Sequence, residues 1–245
     1  MIIVGALAYL GLMKILVLSK QFPYPLNDGA SVAIHMLTKG LKEAGAMVDL
    51  ISYNTTKHPY RGSTEIAQLD HYREIRLVSV DNKPTITGAL RNLFSTLSYH
   101  VIRFATKEMR ELLNHRLAVE DYDVVQIEST HMLFCLDDIR QSHEGVIVMR
   151  AHNVEHLIWQ RGLRYENNLL KRWYYKLQAQ RLKAFEVTRS GQVDAILTVS
   201  DVDGSFFKQY QAETKTIAIG MDIPEPAQDR LTRTCLLYTS PSPRD

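Results

Sequence analysis

Cysteine is almost missing from this chain: Cys135 and Cys235 are the two among 245 residues. A disulfide scaffold is thereby excluded, and a reducing, cytoplasmic setting is the expectation. Cys135 lies among apolar neighbours in HMLFCLDDI and reads as a small buried hydrophobe. Charge of one sign is also scarce. Lys and Arg number 29 against 27 Asp and Glu, a net +2, and no run of like charges forms a basic arm. Nucleic acid is therefore not an expected partner. Two glycine signatures are absent as well. No G-x-G-x-x-G follows the first apolar run, which excludes a dinucleotide-binding turn; no G-x-x-x-x-G-K-[ST] occurs, which excludes a P-loop. What is present is ordinary globular composition, 45% hydrophobic and 23% charged, enough for one large domain or two small ones with a full core.

A long apolar run occurs once, at the start: MIIVGALAYLGLMKILVLS approaches the length of a membrane span. It has no basic stretch before the apolar part, which argues against a signal peptide. Met13 opens MKILVLS, the kind of run that begins an α/β domain, so residues 1–12 are expected to be upstream read-through or an apolar extension. A membrane anchor is the alternative. At the other end, residues 235–245 (CLLYTSPSPRD) resemble the in-frame translation of a transposon-type sequencing adaptor. The expectation is that native sequence stops near Thr234; an ordinary Pro/Ser-rich tail is the alternative.

Between these ends, strand and helix patterns alternate. Ile15–Ser19 is a continuous apolar run, as a buried parallel strand requires. Ser31–Ala44 carries Val32, Met36, Leu37 and Leu41 at helical spacing, with Gly45 as its stop. Val48–Tyr53 and Ile75–Val80 are the next strands, followed by a helical region from Gly88 to about Leu117. Asp123–Ile127, Val146–Met149 and Ala195–Val199 are further strands, each followed by a helical segment, and Thr216–Ile219 is the last. This rhythm predicts an α/β fold: a Rossmann-like parallel sheet with helices on both faces. Ligands of such sheets bind outside the carboxyl ends of the strands. The loops to read for chemistry are Lys20–Gly29, Glu128–His131, Arg150–Glu155 and Ser200–Asp203.

Asp28 and Gly29 stand at the mouth of a helix whose first amides belong to Ala30 and Ser31. A glycine there permits close approach of a phosphate to the positive helix end, although a plain turn glycine would look the same. In the Arg150–Glu155 loop, His152-Asn153-Val154-Glu155-His156 matches the H-x-x-E-H zinc pattern. That motif needs both histidines on one continuous helix, whereas Asn153 reads as the N-cap of a helix starting at Val154. The better reading is a strand-end histidine, His152, projecting into the cleft with Arg150 and Asn153 beside it; a histidine satisfied within its own loop is the bland alternative. Leu169–Ser190 mixes basic and aromatic residues. It reads as a long core helix with Trp173, Leu177 and Phe185 inward, ahead of a membrane-surface helix.

Several of these stretches together resemble glycosyltransferase family 4. They are MKILVLSKQFPYPLNDGASVAIHMLTKGLKEAGAMVDLIS, DYDVVQIES, VIVMRAHNVEHLIWQR, DAILTVSDVDGSFF and AIGMDI, in that order. The resemblance implies a GT-B architecture of two Rossmann-like domains, with residues 13–224 as the N-terminal, acceptor-side domain and 225–234 as the start of a linker. The donor domain, with its E-x7-E motif, is not in this sequence. The implied activity is transfer of a hexose-like sugar, with retention, from a nucleotide-sugar to a saccharide or lipid-linked acceptor. It implies no cofactor and no metal, and leaves peripheral contact with the inner membrane surface open. Gly29 and Ala30 would meet the donor phosphates and His152 the transferred sugar, while Asp28, Arg150, Asn153 and Glu155 shape the cleft. Glu128 is a weaker candidate for the acceptor. The segment alone is expected to be inactive. A non-catalytic nucleotide-sugar or phosphate-binding module, or a GT-B epimerase, are the competing readings.

Overall fold

The computed structural model describes residues 13–57, 59–60, 62 and 67–217. The expectations for residues 1–12, for AIGMDI, and for the linker and tail lie outside the described residues. Seven parallel strands form one sheet: β1 (Lys14–Ser19), β2 (Met47–Thr55), β3 (Glu74–Val80), β4 (Val124–Glu128), β5 (Val146–Ala151), β6 (Ala195–Thr198) and β7 (Thr214–Thr216). Their spatial order is β3-β2-β1-β4-β5-β6-β7. Helix α1 (Gly29–Glu43) connects β1 to β2. Three helices, α2 (Ile86–Asn92), α3 (Tyr99–Ile102) and α4 (Lys107–Val119), lie between β3 and β4. Then come α5 (Leu136–Ser142), α6 (Glu155–Gly162), α7 (Leu169–Ser190) and α8 (Asp201–Phe207).

The central strands carry runs of consecutive apolar residues, such as ILVL in β1, because both faces of the sheet are covered. In β1, Leu16 and Leu18 belong to one buried cluster, with Ile51, Val125, Ile127 and Met149. Ile15 and Val17 belong to the other, with Val48 and Leu50. Successive side chains of a strand alternate faces, so a run buried on both sides loses the polar alternation of a one-sided sheet. The expected doubly covered parallel sheet is what forms.

The local differences have identifiable causes. The single helical region expected from Gly88 to Leu117 is three helices, since Ser98 and Thr106 act as N-caps, their hydroxyls accepting from His100 and Met109 amides. Helix α1 fully buries Ser31, Ala33, Ile34 and Thr38, while Val32, Met36, Leu37 and Leu41 are half-buried, Leu41 packing against the apolar cluster. Small residues let its backbone sit close to the sheet, and Thr38 Oγ1 bonds Tyr72 Oη at 2.9 Å there. Gly45, at φ +99°, follows the helix end in the left-handed region that the stop requires. The last described strand lies at Thr214–Thr216, and residues 218 and 219 of the expected Thr216–Ile219 lie outside the described residues.

At the amino edge of the sheet, Asp49 on β2 gathers a charge network. Its carboxylate accepts from Arg73 Nε at 2.9 Å, Arg116 Nη2 at 2.7 Å and Tyr122 Oη at 2.6 Å. Burial works to raise this carboxyl, but the hydrogen bonds from Arg73, Tyr122 and Arg116 outweigh it and hold the pKa at about 2. The network thus ties β2 to α4 and to the turns before β3 and β4. A depressed carboxylate contributes stability above its unfolded pKa and loses it as pH falls through the folded value. Asp49→Asn should therefore cost about 1–2 kcal/mol at pH 7, allowing for solvent around Arg73, or roughly 3–6 °C in Tm. The gap between variant and wild type should close between about pH 4 and pH 2. Thermal melts across that range test this; a gap independent of pH would assign the loss to packing.

Candidate functional site

The strand order reverses direction between β1 and β4, whose carboxyl ends lie side by side with Ser19 opposite Glu128. Connections leave this point in opposite directions and open a crevice between them. The first loop runs from Lys20 to Asp28. Phe22 is fully buried in it and meets Tyr60 edge-on at 5.5 Å. Asp28 caps α1, its side chain accepting the Ser31 amide at 2.8 Å, and Gln21 Nε2 braces Asp28 at 3.3 Å and Ser31 Oγ at 3.1 Å. The cap serves Ser31 and leaves the Gly29 and Ala30 amides at the positive end of a 15-residue helix. A Cβ built on Gly29 meets nothing within 4 Å. Nothing inside the described protein demands a glycine there.

The end of β5 carries the second group. Glu128 is 1% exposed and receives His152 Nε2 at 2.7 Å. Burial alone would raise the Glu128 carboxyl, yet the hydrogen bond from His152 and the charge of Arg150 keep it below the usual carboxylate value. An ionised carboxylate only accepts, so His152 carries its proton on Nε2, and in the neutral ring Nδ1 is left as an acceptor. Glu128 therefore sits beneath His152, holding it, and presents almost no surface of its own. Arg150 is buried too. Its Nη1 lies 3.6 Å from Glu128 and donates to the Ala33 carbonyl at 2.7 Å. That bond fastens the first turns of α1 to the end of β5, bringing Gly29 and Ala30 to the sheet edge that holds His152.

Asn153 is exposed and does not cap the following helix, contrary to expectation. The helix begins at Glu155 behind Val154, with no side-chain cap from its own strand end. The cap comes from 30 residues away. Glu186, fully buried on α7, accepts the Glu155 amide at 2.9 Å, the His156 amide at 3.4 Å, His156 Nδ1 at 2.6 Å and Thr130 Oγ1 at 2.8 Å. A carboxylate at the positive helix end replaces the local cap. His152 and His156 thus face different carboxylates, as a strand-end histidine and a helical one. Among the described residues no group of three or more His, Cys, Asp or Glu is arranged to hold a metal ion.

Three residues that the motifs did not single out join this edge. Lys20 Nζ lies 3.3 Å from His131 Nδ1 and 3.7 Å from Glu155, whose carboxyl is raised by burial. Ser129, at φ +80°, puts its hydroxyl 3.0 Å from His131 Nδ1. Left-handed backbone at a serine carries no glycine or asparagine signal in the sequence, and such strain collects at functional sites. His131 is buried, and that burial, with Lys20 nearby, lowers its pKa well below the ordinary value. Helix α7 is also corrected: Phe185 faces inward, but Trp173 is 54% exposed. A depression of about 500 Å3 around Tyr122, Arg140 and His143 follows α4 and α5 and so lies at the opposite, amino edge.

Glu186→Gln should destabilise the protein by about 2–3 kcal/mol, because an amide cannot accept from four donors as a carboxylate does. The expected Tm loss is roughly 5–10 °C. Denaturant melts check it, and a loss below roughly 0.5 kcal/mol, the size of a surface effect, would mean the cap contributes little.

No protein-family model matches the sequence, and no curated protein matches it. Solved structures do. Sucrose-phosphate synthase from Thermosynechococcus elongatus matches with a TM-score of 0.50 at 17% identity, over 84% of this chain and 48% of that one. UGT71G1 of Medicago truncatula, solved with UDP-glucose, matches with a TM-score of 0.51 at 10% identity, over 87% of this chain and 52% of its own. The chain spans about half the length of these structures. At such identity the likeness is one of fold: a Rossmann-like α/β domain corresponding to one half of a GT-B glycosyltransferase architecture.

Proposed function

We propose that this chain is the acceptor-side domain of a retaining glycosyltransferase resembling family 4. It works with a donor-side domain to move a sugar from a nucleotide-sugar to a saccharide or lipid-linked acceptor. The observation that carries the reading is the Arg150–Ala33 bond, which holds the open mouth of α1 against the strand end bearing His152. In sugar transfer the largest demand is stabilising charge on the departing diphosphate. The Gly29 and Ala30 amides at a helix N-terminus meet that demand, and glycine leaves room for phosphate oxygens at the backbone. His152, held by Glu128 through Nε2, offers Nδ1 to a hydroxyl of the transferred sugar and so orients the ring. Asp28 shapes the helix mouth, and Glu155 and Asn153 flank the histidine. Retention is carried over from the family resemblance alone.

The test needs both domains, since catalysis requires donor and acceptor held together. In the protein with its donor-side domain attached, Gly29→Ala and His152→Ala should each lower kcat/KM at least about tenfold, or roughly 1.4 kcal/mol. Gly29→Ala should leave Tm unchanged or raised, because its Cβ meets open space. Residues 13–234 alone should fold and transfer no sugar from a panel of nucleotide sugars. Reduced Tm with full specific activity in both variants would make these a structural turn and a satisfied loop histidine, and the site assignment would fall.

Contact with a membrane surface has its own support. Among the described residues no helix is long and apolar enough to cross a membrane. Yet Leu169, Leu170 and Trp173 are exposed at the start of α7 beside Lys171 and Arg172, and Ile86, Leu90 and Phe94 are exposed on and after α2. Arg181 ties the two helices by donating to the Asn92 and Leu93 carbonyls at 2.8 and 2.9 Å. Apolar side chains rimmed by cations suit an anionic leaflet. Vesicles containing anionic lipid should bind the protein, and Trp173→Ser with Phe94→Ser should weaken binding at least about tenfold. Equal binding by variant and wild type would remove the membrane from the proposal.

A further inference from the structure

Beyond the first loop, the carboxyl ends of β3, β2, β1 and β4 border a cavity of about 200 Å3. Lys20 follows β1, Lys57 follows β2, Asn82 follows β3 and His131 follows β4, and Arg103 and Phe104 close the cavity from the end of α3. Among the described residues three cations line it and no carboxylate does. Among the described residues neither Lys57 nor Arg103 has a carboxylate partner, and Lys20 reaches Glu155 only at 3.7 Å. Cations gathered in one concavity repel each other and raise the local concentration of anions.

Arg103 sharpens the point. Its Nη1 donates to the Asn82 carbonyl and its Nη2 lies 3.1 Å from His100 Nδ1, but its Nε is buried with no partner. A buried donor without an acceptor costs free energy, and this one belongs to a side chain that lines the cavity. His131 adds a second donor. Its Nδ1 faces Lys20 Nζ and the Ser129 hydroxyl, so the proton of the neutral ring belongs on Nε2, which it can offer to the cavity. One N–H of each Arg103 Nη is spent on these two contacts, which narrows the face that the guanidinium can turn to a ligand. What remains is a set of separate donors arriving from four strand ends, which suits the several oxygens of a tetrahedral anion.

We propose that this cavity is the acceptor subsite and that it takes a phosphoryl group carried by the acceptor. The inference rests on the glycosyltransferase reading and adds the acceptor's chemistry to it. The phosphoryl group belongs either to a soluble sugar phosphate or to a lipid phosphate, and the shared chemistry is a dianionic or monoanionic phosphate ester. Gln21 connects the two sites: it lines this cavity and braces Asp28 at the mouth of α1, so donor phosphate and acceptor phosphate would sit on opposite sides of one loop.

Calorimetric titration of the full chain tests this with four probes: a hexose 6-phosphate, the uncharged hexose, inorganic phosphate, and a short-chain phosphatidic acid below its micelle concentration. At least one ester should bind saturably and at least tenfold more tightly than the uncharged hexose. A preference for the hexose ester marks a soluble acceptor, and a preference for the phosphatidic acid a lipid-borne one. Lys57→Gln and Arg103→Lys should each weaken that binding at least about fivefold, and Lys42→Gln, on the far end of α1, should not. Lys57 is exposed, so its variant keeps the fold even if Arg103→Lys does not. Equal binding of ester and uncharged hexose, or no response to Lys57→Gln, overturns the inference. So does loss of ester binding in Gly29→Ala with none in Lys57→Gln, which would put the ester at the helix mouth. If the ester fails to bind while Gly29→Ala still abolishes transfer, only the acceptor chemistry is lost. If ester binding follows Lys57 but no nucleotide sugar supports transfer by the two-domain protein, the cavity is an anion site and not an acceptor subsite.

Discussion

Parallel pairing of β1 with β4 is the constraint on which the rest of this structure depends. Every crossover in a parallel sheet turns the same way, so a chain that builds outward from β1 to β2 and β3, then returns to add β4, must put its connections on opposite faces. The carboxyl ends of β1 and β4 are left adjacent, Ser19 beside Glu128, where the two sets of connections part. Both candidate sites hang from this gap. The loop after β1 leads to the mouth of α1 on one side and supplies Lys20 and Gln21 to the cationic cavity on the other.

Two buried carboxylates hold the gap in shape, and they act differently. Glu128 receives His152 and Gln126 and lies near Arg150, so its charge fixes the tautomer and direction of one imidazole. Glu186 fixes backbone, capping α6 and gathering Thr130 and His156 from two other elements. Removing an ionised group from water is costly, and each here is offset by three or four donors. The carboxyl edge therefore carries fixed negative charge below its surface and positive charge at it, on Lys20, Lys57, Arg103 and the helix end. Such layering attracts anions to the surface while keeping the side chains that meet them in place.

The amino edge offers the contrast. Asp49, Arg73 and Arg116 are as densely charged as anything at the carboxyl edge, and their pairing is nearly complete. A network whose donors and acceptors satisfy each other has nothing left for a ligand. The difference between the edges is thus one of unmet valence, Arg103 Nε above all, and not of charge density.

The sequence by itself determined the sheet. Apolar runs of strand length separated by helical periods leave one arrangement that buries both faces, and the loops that carry chemistry follow from it. His152 ahead of its helix, and Gly29 at the mouth of another, were legible because strand ends and caps are encoded within a few residues. The remainder was decided only by tertiary structure. Asn153 has the composition of a cap, yet Glu186 performs that role from another helix, because a carboxylate already buried on α7 outcompetes a solvated amide. Trp173 has the pattern of a core residue, yet it stays 54% exposed near the start of α7. Ser129 at positive φ, the His131–Lys20 contact and the cationic cavity join residues from four strands. Such meetings across distant segments have no local period or spacing, and only the strand order β3-β2-β1-β4 brings them together.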